Sequence, residues 1–195
     1  MEDELLRLKR DMEGDLFQAP YQAAVRKAEM IIKQEAECMS REYGREIISR
    51  ISGRLKCAES VQRKLKKKGY PCSVESAMLR LNDLAGVRVT CYSVDDVYEL
   101  AARLKQSKEL QILKEKDYID KPKASGYKSL HLIAEVCVQI PGGEKRVRVE
   151  IQLRTLAMDC WARLDHKFCY KKEKFSLPKA GISLPLGFFK NFTCL

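Results

Sequence analysis

The chain has 195 residues, with 37 Lys and Arg against 27 Asp and Glu, for a formal net charge of +10. That length supports one domain with a real core and leaves little room for a second; with no apolar run near ~20 residues and no charged-then-apolar leader, we expect no membrane span and a cytoplasmic location. The charge implies an anionic partner, whether nucleotide phosphate, RNA or an acidic surface, without choosing among them.

Residues 1–18 place Leu5, Leu8, Met12 and Leu16 at helical spacing, with Gly14 weakening the second half. Pro20 fits the first turn of a second helix, whose stripe of Ala24, Ala28, Ile31 and Ile32, with Glu35, runs to about Arg41. We expect residues 1–45 to pack on the domain or at an oligomer interface. From Glu46 to Lys56, isoleucines mixed with Ser49, Ser52 and Gly53 read as a strand-like passage into a basic helix. That helix begins near Glu59 and stops at Gly69-Tyr70-Pro71. Its run Arg63, Lys66, Lys67 and Lys68 reads mostly as a solvated face. Val74 to Leu81 predicts a short helix, and Asp83-Leu-Ala-Gly-Val-Arg-Val leads into a strand through Cys91. Ser93-Val-Asp-Asp96 has the form of a capping box, and Val94, Val97, Tyr98, Ala101 and Leu104 form a core stripe behind it. A strand from about Leu110 to Ile119 follows.

A basic, glycine-containing turn then precedes two consecutive strand patterns. Leu130, Leu132, Ala134, Val136 and Val138 alternate with polar residues, the period-2 signal of a strand with one buried face. Pro141-Gly142-Gly143 is a turn, and Val147, Val149, Ile151 and Leu153 resume the alternation. The opposite face carries His131 and Glu135, then Arg146, Arg148, Glu150, Gln152 and Arg154, with Tyr127 joining if the extended phase runs back that far. A carboxylate amid arginines suits a metal and phosphates together, although periodicity alone fits an ordinary solvated hairpin face equally well.

Thr155 can cap a last helix with the stripe Met158, Trp161, Leu164 and Phe168, and with Asp159, Ala162, His166 and Tyr170 on an adjacent face. Beyond Lys174 helical periodicity is lost. Eight cysteines, none in a C-x-x-C pair, read as reduced structural thiols rather than disulfides or zinc ligands. The middle of the chain alternates helix and strand, and consecutive strands follow. The expected class is therefore α+β, a mixed sheet of about five strands with helices on one side.

The runs SGRLKCAESVQRKL, DLAGVRV, YIDKPKASGYKSLH and VEIQLRTLAMDCWARLDHKFCYK, in that order over roughly Ile47 to Lys171, resemble the synthetase domain of RelA/SpoT-type enzymes. In compactness the chain resembles a small alarmone synthetase. The resemblance implies a nucleotidyltransferase-like synthetase fold over 46–174, with 175–195 as an atypical tail. It further implies transfer of diphosphate from ATP to the 3′-hydroxyl of GDP or GTP, with magnesium as cofactor and a homo-oligomer, most simply a tetramer.

The same resemblance assigns residues. Arg54, Lys56, Ser60 and Lys64 occupy the ATP-binding element, and Arg88 stands where the family packs a guanidinium on adenine, which a planar Arg does better than Lys. Asp83 and Glu150 stand as magnesium and catalytic carboxylates, in keeping with magnesium's taste for one or two hard carboxylates plus phosphate oxygens. Lys116, Lys123 and His131 would meet acceptor phosphates, Tyr127 would stack on guanine, and Asp159 and Ala162 would complete the acceptor site; His166 would only support. Ser125 and Asp159 replace Asn found in relatives, so polar contacts to the acceptor are expected to differ. The competing readings are a non-catalytic module for single-stranded RNA, motivated by the charge and an exposed-looking Tyr127, and a nucleotidyltransferase acting on RNA.

Overall fold

The computed structural model describes residues 3–172, with side chains through Asp165. The tail at 175–195 and the side chains of His166, Phe168 and Tyr170 lie outside the described residues. Five strands form one sheet in the order β1-β2-β5-β4-β3: β1 (Ile48–Leu55), β2 (Ala85–Cys91), β3 (Leu110–Asp117), β4 (Leu130–Ile140) and β5 (Gly143–Thr155). Only β2 and β5 run parallel. The expected mixed five-stranded sheet is therefore present.

The apolar side of the sheet is covered by α2 (Asp15–Tyr43), which packs across β1, β2, β4 and β5, and by α5 (Val94–Gln106). Alternation in β5 sends Val147, Val149, Ile151 and Leu153 into this core, each at most 3% exposed. The capping box at Ser93 and Asp96 is formed, both reciprocal bonds being present. In α5 the buried stripe is Val97, Leu100, Ala101 and Leu104. Val94 and Tyr98 are exposed instead of buried, because the helix is rolled so that Leu100 faces the sheet.

The N-terminal helices break where the glycine stands. α1 (Glu4–Glu13) ends on Gly14 in extended backbone, and α2 restarts at once. It therefore begins five residues before Pro20, which sits inside the helix. A proline there forfeits one helical hydrogen bond, while Phe17 and Tyr21, stacked at 4.5 Å, bury the same turn against the domain. The restart re-phases the pattern: Leu8 and Met12 are buried, but Leu16 is 89% exposed, not part of the stripe. α1 lies on α3 (Ala58–Lys67) and α4 (Val74–Arg80), so the first helix buttresses the basic one. The six cysteines whose side chains are described are free thiols.

α2 crosses β1 at Gly53 with no space to spare. A Cβ there would stand 2.1 Å from Val25 Cγ1 and 2.9 Å from Glu29 Oε1, and the branched Val25 is stiff about χ1. Gly53→Ala is accordingly expected to lower stability by about 1–3 kcal/mol through overpacking. Urea unfolding followed by circular dichroism reads this directly, and a midpoint equal to wild type would refute the close crossing.

α6 (Leu156–Lys172) departs from the expectation that all helices share one side. Thr155 caps it, accepting from the Met158 amide at 3.3 Å. Its inward residue is Asp159, 5% exposed, whereas Trp161 and Leu164 of the expected apolar stripe are 37% and 44% exposed. The reason is that α6 meets the polar face of β2 and β5, where a carboxylate has guanidinium partners and an isoleucine-type side chain has none.

Candidate active site

Register lines up the polar face. One row across the sheet reads Ser52, Arg88, Gln152, His131, Lys116, and the next reads Arg54, Gly86, Glu150. Residues from all five strands thus share one surface, with Asp83 just before β2 and α6 along one side. Of the three arginines that alternate with the apolar residues of β5, Arg146 bonds Gln111 at the rim. Arg148 donates to the carbonyls of Met78 and Leu79 and so caps α4. Only Arg154 enters the site.

Asp83 forms one centre. Its Oδ2 accepts from Lys56 Nζ at 2.8 Å and pairs with Lys64 Nζ at 2.7 Å. Its Oδ1 is buried and has no hydrogen-bond partner. Burial pushes this carboxyl up, but the two lysines outweigh it and hold the group below its usual range. Lys64 reaches it from α3, one turn beyond Ser60, whose Oγ accepts from Cys57 Sγ at 3.1 Å. Arg54 is exposed on β1 opposite Gly86, two residues from Arg88 on the same face of β2. A Cβ on Gly86 would meet the Glu150 carbonyl oxygen at 3.6 Å and Arg54 Cγ at 4.0 Å, so the glycine leaves the strand bare beside Arg54.

Glu150 forms the other centre. Its Oε1 lies 3.3 Å from His131 Nδ1, and its Oε2 accepts from Gln152 Nε2 at 2.7 Å. Burial raises this carboxyl too; the hydrogen bond and charge of His131 and the bond from Gln152 prevail and lower it, while the Asp83 charge acts in the opposite sense. The two carboxylates are thus near enough to feel each other. As a test of magnesium, the donor set fits: Asp83 Oδ1 is an orphaned buried acceptor, and Glu150 keeps lone pairs beyond its two bonds. No cluster of three His, Cys, Asp or Glu exists among the described residues.

Tyr127 corrects the expectation of an exposed ring. Half-buried, it donates toward or accepts at His131 Nε2 at 2.8 Å and receives Arg154 Nη2 at 3.0 Å. Its ring makes edge contacts with Tyr118 and His131, and Lys123 Nζ sits 4.7 Å from its centroid. The turn before it closes through Gly126 N to Lys123 O at 2.8 Å; Gly126 has φ +80° and lies against the Trp161 indole. A side chain would be strained there. Lys116 faces the same surface opposite His131.

Asp159 is a counter-ion as placed here. Its Oδ2 accepts from Arg163 at 2.7 Å and 2.6 Å, and its Oδ1 from Arg154 at 3.3 Å, with Arg88 Nε 3.7 Å away. Ala162 follows it by three residues on the same helix face. Every assigned residue therefore lies on or beside this one surface. Sequence reasoning placed Gln152 and Arg154 on the face but gave them no role, and it passed over Gly86 and Arg163. Their signals were the i, i+2 spacing from Glu150 and the i, i+4 spacing from Asp159.

Residues 53–175 match the family model described as the region found in RelA / SpoT proteins. The chain is 42% identical over 141 residues to GTP pyrophosphokinase YwaC of Bacillus subtilis, covering 72% of this chain and 66% of that protein, just short of two thirds of its length. It is 35% identical to GTP pyrophosphokinase YjbM of the same organism, covering 83% of this chain and 75% of the relative. The fold is similar to the crystal structure of small alarmone synthetase 1 from Bacillus subtilis bound to its product pppGpp, with a TM-score of 0.74, 34% identity, and coverage of 84% of this chain and 83% of that one. By its four ordered motifs, its sheet and these matches, the chain belongs to the RelA/SpoT family.

Proposed function

We propose that this chain is a GTP pyrophosphokinase, transferring the β,γ-diphosphate of ATP to the ribose 3′-hydroxyl of GDP or GTP and yielding AMP with ppGpp or pppGpp. The observation that carries the reading is the pairing of Asp83, with its buried unsatisfied oxygen, and Glu150 on a surface otherwise rich in cations. An RNA-binding module has use for the cations but none for two partly buried carboxylates.

Arg54 and Arg88 flank the adenine over Gly86, and Lys56, Ser60 and Lys64 hold the phosphates. In the nucleotide-free chain the two lysines neutralise Asp83; phosphate oxygens give them a second anionic partner. Asp83 and Glu150 would hold magnesium, which when bound neutralises charge on the transferring phosphates. Glu150 also stands to accept the proton of the acceptor hydroxyl, a role that competes with tight metal contact. Lys116, Lys123 and His131 face the acceptor's phosphates. Tyr127 offers its ring to guanine, and Ala162 and Asp159 bound the site on the α6 side.

The test is incubation with ATP, GDP or GTP and magnesium, resolving AMP and a new guanosine polyphosphate. Release of inorganic diphosphate with labelled RNA, or RNA binding without AMP, would overturn the reading. Gly86→Val fills the slot between the arginines and is expected to raise the KM for ATP by about tenfold or more, equivalent to ~1.4 kcal/mol; an equal rise for the acceptor would refute the slot.

No described helix is long and apolar enough to cross a membrane, and a cytoplasmic site of action would give access to both nucleotides. A homo-oligomer fits Leu6, Leu16 and Met30 standing 61%, 89% and 64% exposed on the N-terminal helices. Light scattering at micromolar concentration should give a multiple of 22.4 kDa, a tetramer being the simplest expectation, and a monomeric mass refutes it.

A further inference from the structure

Glu150, Gln152, Arg154, Tyr127 and His131 close a ring of hydrogen bonds around the carboxylate. Arg154 Nη2 donates to Gln152 Oε1 at 2.7 Å and to the Tyr127 hydroxyl oxygen at 3.0 Å. Gln152 Nε2 donates to Glu150 Oε2 at 2.7 Å, Tyr127 meets His131 Nε2 at 2.8 Å, and His131 Nδ1 meets Glu150 Oε1 at 3.3 Å. Arginine can only donate and an ionised glutamate can only accept. Both arms of the ring start at the one and end at the other, so each must reach Glu150 through a donated hydrogen. Gln152, accepting with its carbonyl, must present its amide to Glu150. An ionised Glu150 requires the hydrogen on His131 Nδ1, so in the neutral ring Nε2 bears the lone pair and the Tyr127 hydroxyl, which accepts from Arg154, donates to it.

We infer that Arg154 is a positioning residue for the reaction: from a site 2% exposed it orients Gln152 and Tyr127, and through them the two donors that hold the oxygens of Glu150 before any nucleotide arrives. Arg154 itself is held by Asp159, so its polarity is anchored from behind. A carboxylate bound at both oxygens keeps its free lone pairs in a constant direction, which is preorganisation toward the acceptor hydroxyl. The inference rests on Glu150 being the catalytic carboxylate, and the test separates the two.

Two measurements are made on the nucleotide-free and then the assayed enzyme. The chain has two histidines, so ¹⁵N-imidazole spectra of wild type and of His166→Gln assign His131. At a pH where the ring is neutral, wild type should show the Nδ1–H tautomer. Tyr127→Phe, which keeps the ring and the fold, and Gln152→Leu both leave Glu150 to accept from Nδ1, so both should keep that tautomer. Tyr127→Phe should lower kcat by about 10- to 100-fold, as loss of outer partners does at comparable sites, with both KM values changed less than about threefold. An Nε2–H tautomer in wild type overturns the ring. A kcat within about twofold of wild type in Arg154→Met, or in both Tyr127→Phe and Gln152→Leu should Arg154→Met fail to fold, overturns the positioning role. Full activity of Glu150→Gln would instead sink the reading of Glu150, leaving the tautomer result standing.

Discussion

Glu150→Gln and Asp83→Asn are each expected to cut AMP formation by about 10³-fold or more while the protein remains folded. Either change is nearly isosteric and removes only the charge, and general-base and metal contributions are both of that order. Asp83→Asn also strands Lys56 and Lys64 without their anion, so its ATP binding should change differently from that of Glu150→Gln. Single-turnover assays with saturating nucleotides, beside circular dichroism of each variant, make the comparison; turnover within tenfold of wild type would remove the residue from the chemistry. The pH dependence has a definite sign. Both carboxyls titrate below their usual values in the folded protein, so the stability they contribute is present above the unfolded value near ~4 and is lost as pH falls through the folded one. Wild type and Asp83→Asn should therefore differ in stability at neutral pH and converge in acid.

Asp159→Asn is expected to cost about 3–5 kcal/mol of stability. Its side chain is 7% exposed and faces Arg154 at 2% exposure, so removing the negative charge leaves a guanidinium buried without its counter-ion. Arg88 loses the same partner. Arg163, half exposed, can turn to water, and Arg163→Ala should cost less than about 1 kcal/mol. Thermal unfolding gives the readout, with a drop on the order of 10 °C for Asp159→Asn at ~2–4 °C per kcal/mol. A change below 2 °C would mean that Asp159 is free for the acceptor nucleotide rather than engaged by the arginines.

Much of the site was legible in the sequence because strand alternation is a local property. The spacing of Glu150, Gln152 and Arg154 puts them on one face whatever the strand pairs with, and the glycine turn before Tyr127 and the capping box at Ser93 depend on near neighbours only. Elements of this kind were placed to within a few residues. The N-terminal break was misplaced at Pro20, because a proline in the second turn is a weaker stop than Gly14 when Phe17 and Tyr21 are buried around it.

What the sequence by itself determined was the class of fold and the gathering of two carboxylates and several cations on one polar face. Only the tertiary structure decided which partners those groups have. Asp83 meets Lys56 and Lys64, 27 and 19 residues upstream, because β1 pairs with β2 and α3 folds back over the junction. Arg148 and Arg154 are equivalent in alternation, yet one caps α4 and the other is enclosed beneath α6. Periodicity gives the face a side chain leaves from; what covers that face depends on strand order and helix placement, which are long-range choices made by the packing of the whole core.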